Sequence, residues 1–370
     1  MQERMAGGTG TVATTRRGRT WSLAVAIPGS ILANAQSAAL QTYLAGQIAR
    51  ALAIFQVDEV IIFAERVRNS ASSSEYDSLL GRLLQYLECP QYLRQHLFPR
   101  APELQFAGLL NPLDTPHHPR KHEGIPYREG VVVPSSQLSV ASGRDAVAIR
   151  SRYVHVGWDT PIEVESSVPL TVGQRITVRF ENLRRSADEL AEGPPKRKRK
   201  RAIELQQKSS PGWKWSHAVV VSRDEPREHC GLYWGYGVRL APNLVQALSM
   251  SNADVKIGTS EHGTDLCATL WPSTCPHLSM ERNTGGQGCS ASSIVPPGGF
   301  HKLLVVFGGV HGLEASYGGT EVRKLFDAYV NACPDQGSRT IRTEEALYVV
   351  LSALQPWIRQ NGSKGREQTT

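Results

Sequence analysis

Hydrophobic period changes twice along the chain. Trp21 to Ile27 reads WSLAVAI, a continuous apolar run closed by Pro28-Gly29, and predicts a buried strand. Ser37 to Phe55 carries Leu40, Leu44, Ile48, Ala51 and Leu52 at helical spacing, and Val57 to Phe63 (VDEVIIF) predicts a second buried strand. Strand, helix, strand is a βαβ unit, which implies a parallel sheet. Tyr76 to Leu87 continues as helix, with Leu79, Leu80, Leu83, Leu84 and Leu87 on one face and Pro90 beyond it.

From Asn111 the texture shifts. Pro112, Pro116, Pro119 and Pro126 break the chain, and short alternating runs follow: VVVP at 131, YVHVGW at 153, RITVRF at 175 and HAVVVS at 217. They predict a small antiparallel barrel. After Gly231 strands are predicted over Tyr236–Leu240 and Asp254–Gly258, with a helix over Pro242–Met250 between them. Leu303–Phe307 (LLVVF) is the clearest buried strand, and a helix follows over Arg342–Ile358. The order is α/β, a β insert, then α/β again. Each α/β part alone is too small to cover a sheet on both faces, so the two read as one discontinuous domain. Residues 271–299, rich in Pro, Gly, Ser and Thr, fit neither pattern and read as either a flexible surface insertion or a peculiarity of this sequence.

Charge changes the picture at one place. The 370 residues hold 41 Lys+Arg against 34 Asp+Glu, a formal charge of +7. Lys196, Arg197, Lys198, Arg199, Lys200 and Arg201 supply six of those cations, and without them +7 becomes +1. Such a run reads as a nuclear import signal or a nucleic-acid contact, against the plainer alternative of a solvated loop. Six irregularly spaced cysteines are no disulfide framework and favour a reducing compartment. No apolar run has membrane-spanning length, and residues 1–20 lack a secretory h-region, so no membrane association is expected.

Candidate chemistry gathers near the carboxyl-terminal end. FGGVHGLE (307–314) is a strand end in Gly-Gly, which either serves a tight turn or admits another molecule to the backbone. It is not a dinucleotide fingerprint, and no phosphate-binding GxxxxGK[ST] is present. NACPDQGSRTIRTEE (331–345) is a polar loop running into a helix start, with Arg339 and Arg342 available to a phosphate or carboxylate. Cys267, Cys275, His277 and Cys289 lack zinc spacing, and His117-His118 reads as a surface pair. Trp158, Trp213 and Trp215 are either core or a stacking platform for bases.

Long motifs carry a family resemblance: AIPGSILANAQS (26–37), TYLAGQIARALAIFQVDEVIIF (42–63), LLQYLECPQYLR (83–94), LQFAGLLNPLDTPHH (104–118), GLYWGYGVRLA (231–241), FGGVHGLE and QGSRTIRTEEA. Together they resemble the eukaryotic SPOUT-domain-containing RNA methyltransferase family across most of residues 20–360. The resemblance implies an α/β SPOUT trefoil-knot domain in two parts, 21–115 and 230–360. Between them lies an OB-like RNA-binding β-barrel insert at 116–229, and tails occupy 1–20 and 361–370. It further implies S-adenosylmethionine as cofactor, uridine N3 of large-subunit rRNA as target, and a homodimer. It places the protein in nucleus, nucleolus and cytoplasm, with centrosome, spindle and kinetochore partners in mitosis, where a catalytically weak scaffold is the alternative role.

By the same resemblance His262, Gly308, Asn331, Ala332, Gly337, Ser338, Arg339, Thr340 and Ile341 bind the cofactor. Arg342 and Glu345 are candidates for positioning RNA and supporting proton removal; residues 196–201 are a candidate RNA contact on their charge alone. His262 and Ala332 depart from the family's usual Arg and Thr.

Overall fold

The computed structural model describes residues 18–65, 73–134, 150–185, 213–271, 294–309, 311–317 and 320–363. Two compact units emerge: Arg19–Glu88 with Arg100–Asp114 and the described part of Gly235–Thr370, and Cys89–Pro99 with the described part of Thr115–Trp234. The helix Gln91–Leu97 therefore belongs with the insert, although it follows directly on the α/β chain.

In the α/β unit, β1 (Ser22–Pro28), α1 (Ala38–Ile54), β2 (Glu59–Phe63) and α2 (Ser73–Glu88) form the first layer pairings. α3 is the insert helix Gln91–Leu97. The insert's strands are β3 (Tyr127–Val133), β4 (Tyr153–His155), β5 (Ile162–Glu163), β6 (Arg175–Glu181), β7 (Arg184–Arg185), β8 (Trp213–Lys214) and β9 (His217–Val221), followed by α4 (Glu225–Cys230). The α/β unit resumes with β10 (Gly237–Ala241), α5 (Leu244–Ser251), β11 (Val255–Asp265), α6 (Leu266–Leu270), β12 (Lys302–Val306), α7 (Gly312–Tyr317), β13 (Ala328–Asn331) and α8 (Thr343–Asn361).

Six strands of the α/β unit make one sheet in the order β10-β2-β1-β12-β11-β13, all pairings parallel. The continuous apolar runs follow from that geometry. Ala24, Ala26, Ile61, Phe63, Leu304 and Val306 face α5 through Leu244, Ala247 and Leu248. Leu23, Val25, Ile27, Val60, Ile62, Leu303 and Val305 alternate with them and are equally buried, so both faces are covered. Ser37 starts α1 by accepting the Leu40 amide at 3.3 Å, and α1 packs against α2 and α8. At the amino edge, carboxylates take up the amides of strand starts. Asp58 accepts from Leu23, Asp254 from His301 and Lys302, and Asp327 from Lys256, at 2.6–2.9 Å.

β11 departs from the sequence expectation most. It runs on to Asp265 because its polar tail pairs with β13 alone, after a register shift between Thr259 and Thr264. TSEHGTD has no apolar alternation, so no strand signal marks it. The chains cross closely here: a Cβ on Gly263 would lie 2.3 Å from the Val330 carbonyl carbon.

The insert is an antiparallel sheet ordered β5-β4-β3-β6-β9. Glu165, just past β5, pairs in parallel with Val219 of β9, giving and accepting backbone bonds of 2.8 Å. Trp158 and Trp215 stack at 4.8 Å beside Phe180 and are buried, so these two are core and offer no platform for bases. Trp213 is half-buried and donates to the His122 carbonyl at 3.2 Å. His117 is fully buried near Tyr233 and Trp234, a correction to the surface reading, because aromatic rings close over its Pro-rich loop. No group of metal-ligating side chains forms among the described residues; Cys275, His277 and Cys289 lie outside them.

The insert also buries a charged pair. Arg128 reaches the Arg120 and Glu123 carbonyls at 2.7 and 2.8 Å. Glu129 accepts from Arg175, Thr177 and the Trp234 indole, each at 2.6 Å. Glu129→Ala removes the acceptor shared by three donors and is expected to cost about 3–5 kcal/mol. The exposed Glu163→Ala is expected to stay within about 0.5 kcal/mol of the parent. Urea unfolding followed by tryptophan fluorescence separates the two.

In the α/β unit Asp77, near the start of α2, has its carboxyl pushed up to about 6. Burial dominates, the Gly29 backbone hydrogen bond opposes it, and Glu65 adds to the rise. The folded state therefore holds a proton that the unfolded chain releases near pH 4. Stability is expected to fall between about pH 4 and 6 and to level off above. Asp77→Asn should flatten that fall and raise stability at pH 7 relative to the parent. Denaturation midpoints across that pH range decide it.

Candidate functional site

At the carboxyl ends of β11, β12 and β13 lies a cleft of about 310 Å³, within the usual range for small-ligand sites. Three pieces of local structure build it. The bulge in β11 turns Thr259 to His262 out of the sheet, so Ser260, Glu261 and His262 line one wall. β12 ends in Phe307-Gly308-Gly309 and turns through Gly312, whose φ of +71° favours glycine. The loop after β13 then supplies Asn331, Ala332, Cys333, Gln336, Thr340 and Ile341, and α8 closes the cleft with Ala346, Val349 and Val350.

Hydrogen bonds tie these pieces together. Thr343 Oγ1 donates to the Gly308 carbonyl at 2.8 Å. Asn331 Nδ2 donates to the Glu261 carbonyl at 2.9 Å, while its Oδ1 accepts from the Cys333 amide. Asn331 thus fixes the bulge to the loop with both ends of its amide. Arg323 donates to the His262 carbonyl and stacks over Tyr329 at 5.4 Å. A Cβ on Gly308 would meet the Gly312 and Leu313 backbone at 2.6 Å, so the need for glycine there comes from the turn itself.

Two carboxylates line the cleft, Glu261 and Glu314, and Glu314 is the one fixed by side-chain donors. Its Oε1 accepts from Ser260 Oγ at 2.7 Å and Tyr329 Oη at 2.8 Å. Burial pushes its carboxyl up, but those two donors, its own backbone amide and the charge of His262 outweigh burial and hold it below the usual range. The Tyr329 phenol is pushed above its usual value, chiefly by burial, with Glu314 adding to the rise. The result is a fixed anion in a cleft that also holds Glu261, His262 and His311, with apolar surface from Phe307, Val330, Ile341, Ala346, Val349 and Val350. A ligand carrying both an apolar or aromatic part and a positive charge fits that set.

Of the residues named from the sequence, His262, Gly308, Asn331, Ala332, Thr340 and Ile341 line the cleft together. Gly337, Ser338 and Arg339 sit on the outer part of the same loop, exposed. There Gln336 donates to the Ser338 carbonyl and Ser338 to that of Thr340. Arg342 and Glu345 are exposed at the start of α8, where Glu345 accepts the Arg342 amide at 2.9 Å and so caps the helix. Residues 196–201 lie outside the described residues. Sequence reasoning missed Ser260, Glu261, Glu314, Thr343 and Ala346. Glu314 was visible in FGGVHGLE, but only the fold brings Ser260 and Tyr329 to it.

Comparison with known proteins gives the cleft a context. Residues 22–354 match the family described as “Putative RNA methyltransferase”. A Homo sapiens protein named 28S rRNA (uridine-N(3))-methyltransferase is 40% identical over 368 residues, covering 94% of this chain and 81% of its own. The Mus musculus protein of that name is 40% identical over 95% of this chain and 80% of its own. The Drosophila melanogaster one is 37% identical over 90% and 62%. With the family match running from β1 into α8, the cleft and the sheet that carries it included, the chain belongs to this family of RNA methyltransferases.

Proposed function

We propose that this protein uses S-adenosylmethionine to methylate N3 of a uridine in large-subunit ribosomal RNA. The observation that carries the cofactor assignment is the Glu314 carboxylate, held ionised in a glycine-bordered cleft at the carboxyl ends of parallel strands. S-adenosylmethionine, when bound, supplies an electrophilic methyl group on a positively charged sulfonium. Phe307, Ile341, Ala346 and Val350 offer apolar surface to an adenine, and Thr340 and the loop backbone offer polar groups to its edge. His262, Gly308, Asn331 and Ala332 complete the walls in this reading, and Gly337, Ser338 and Arg339 form the outer rim.

Uridine N3 carries a proton that must leave before or as its lone pair takes the methyl group. The exposed Arg342 at the lip of α8 is suited to stabilise the resulting anion. Glu345 is committed to the helix cap, which makes water the natural proton acceptor in this scheme. The relatives, named as uridine-N3 methyltransferases, supply the target base, and residues 196–201 would add phosphate contacts and nuclear import.

The reading extends to three features of architecture. We take the Asn331–Arg342 segment as the closing loop of a trefoil knot, supported by the bonds from Asn331 and Thr343 back to the β11 bulge and the β12 turn. We take the insert as an OB-like barrel, supported by its strand order and the Glu165–Val219 pairing. We take the molecule as a homodimer through Leu40, Tyr43 and Ile54, which lie on one stripe of α1 about half exposed, beside exposed Leu109. A scaffold role at spindle poles or kinetochores is not favoured by relatives named as methyltransferases.

The direct test is incubation of purified protein with rRNA and S-adenosylmethionine, followed by digestion and mass spectrometry. N3-methyluridine is the expected product; methylation of another atom or base rejects the N3 assignment. Ala346→Trp fills the cleft from an existing helix position and should weaken S-adenosylmethionine binding at least tenfold by calorimetry, about 1.4 kcal/mol. Unchanged binding moves the cofactor elsewhere. For the dimer, light scattering on a Tyr43→Glu/Ile54→Glu variant should give the monomer mass, and a monomeric parent protein rejects that assignment.

A further inference from the structure

We propose that a groove on the insert, between Arg150–Tyr153 and the 166–170 turn, binds a single-stranded stretch of the RNA substrate. The inference rests on the RNA methyltransferase reading and adds a binding site separate from the cofactor cleft. The groove measures about 540 Å³, and Arg150, Arg152, Tyr153, Glu163, Val168 and Pro169 line it. Arg150 and Arg152 both line the groove and are exposed, with buried Ser151 between them.

What distinguishes these arginines is that they are exposed and outnumber the groove's one carboxylate, Glu163. Among the described residues no ion pair forms to either. Elsewhere in the insert Arg175 is held by Glu129, Arg179 by Glu225, Arg227 by Asp224 and Lys121 by Asp159. An unpaired guanidinium can take a phosphate without first breaking a salt bridge.

The opposite wall is preformed. Ser166 Oγ donates to the Val168 carbonyl at 2.7 Å and accepts its amide at 3.2 Å, which pins the turn. Val168 is left 57% exposed, an apolar knob beside two cations. The Ser151 amide bonds the Leu170 carbonyl, and Arg150 pairs with Thr171, so both walls are fixed to each other. Two cations against one carboxylate, a half-buried phenol and an apolar knob suit a strand whose bases are unstacked; in a duplex the base faces are hidden.

Fluorescence anisotropy with a short uridine-rich single-stranded RNA tests this on the full chain. Arg150→Gln/Arg152→Gln should weaken binding about tenfold and lower the salt slope by about 1.4, two single-strand phosphate contacts. Tyr153→Ala should weaken it several-fold with the slope unchanged, as loss of stacking does. S-adenosylmethionine binding should stay at the parent value in both variants, which shows that the fold survives. Parent affinity and slope in the arginine variant overturn the groove. Loss of polyglutamate binding with RNA binding intact also overturns it, in favour of an acidic peptide. A parent protein that binds S-adenosylmethionine but no RNA removes the RNA reading itself.

Discussion

A parallel sheet covered on both faces leaves only its ends for chemistry. Every strand of the α/β unit that could meet a ligand through its face is packed under a helix, from Leu23 on one side to Ala24 on the other. The amino edge is occupied as well, since Asp58, Asp254 and Asp327 take up the amides of strand starts. Glu59 adds ion pairs there with Arg239 and Lys302. Carboxylates at that edge satisfy donors that burial would otherwise strand. The carboxyl edge is the end left open, and the cleft forms there, as it does in open α/β sheets generally.

Two irregularities turn that edge into a site. The register shift in β11 pushes Ser260, Glu261 and His262 out of the sheet, and the glycine turn after β12 lets α7 start directly against the strand end. Ser260 on the bulge and Tyr329 on β13 then converge on Glu314 of α7. A carboxylate with two fixed donors is oriented before any ligand arrives, and that preorganisation is what lets it recognise charge in a small cleft. The insert follows a different logic. Its core tolerates Arg128 and Glu129 on adjacent buried positions of β3 because each is met by several partners, while its exposed arginines at 150 and 152 form no ion pair among the described residues.

Much of the α/β frame was legible in the sequence. WSLAVAI, VDEVIIF and LLVVF read as buried strands because a doubly covered strand needs apolar residues at every position, and all three pair side by side as β1, β2 and β12. α1 and α8 were legible from helical spacing. The extension of β11 was not, because a strand paired on one side over a cleft has polar residues and no period. His117 was misread for a related reason: adjacent histidines in a Pro-rich loop signal surface until Tyr233 and Trp234 arrive from more than a hundred residues away.

The sequence by itself determined the alternation of α/β and β segments, the glycine turn at 308–312, the polar loop at 331–345 and the family. Those depend on local period, on residues without Cβ atoms and on long motifs, all written along one stretch of chain. Tertiary structure alone decided which members of the polar loop face the cleft, that Glu345 caps a helix, and that Glu314 stays ionised. Each of those depends on groups far apart in sequence: Glu314 sits 54 residues from Ser260, and Thr343 lies 35 from Gly308. Distance along the chain says nothing about such meetings, because the sheet order that brings β11, β12 and β13 together is set by packing.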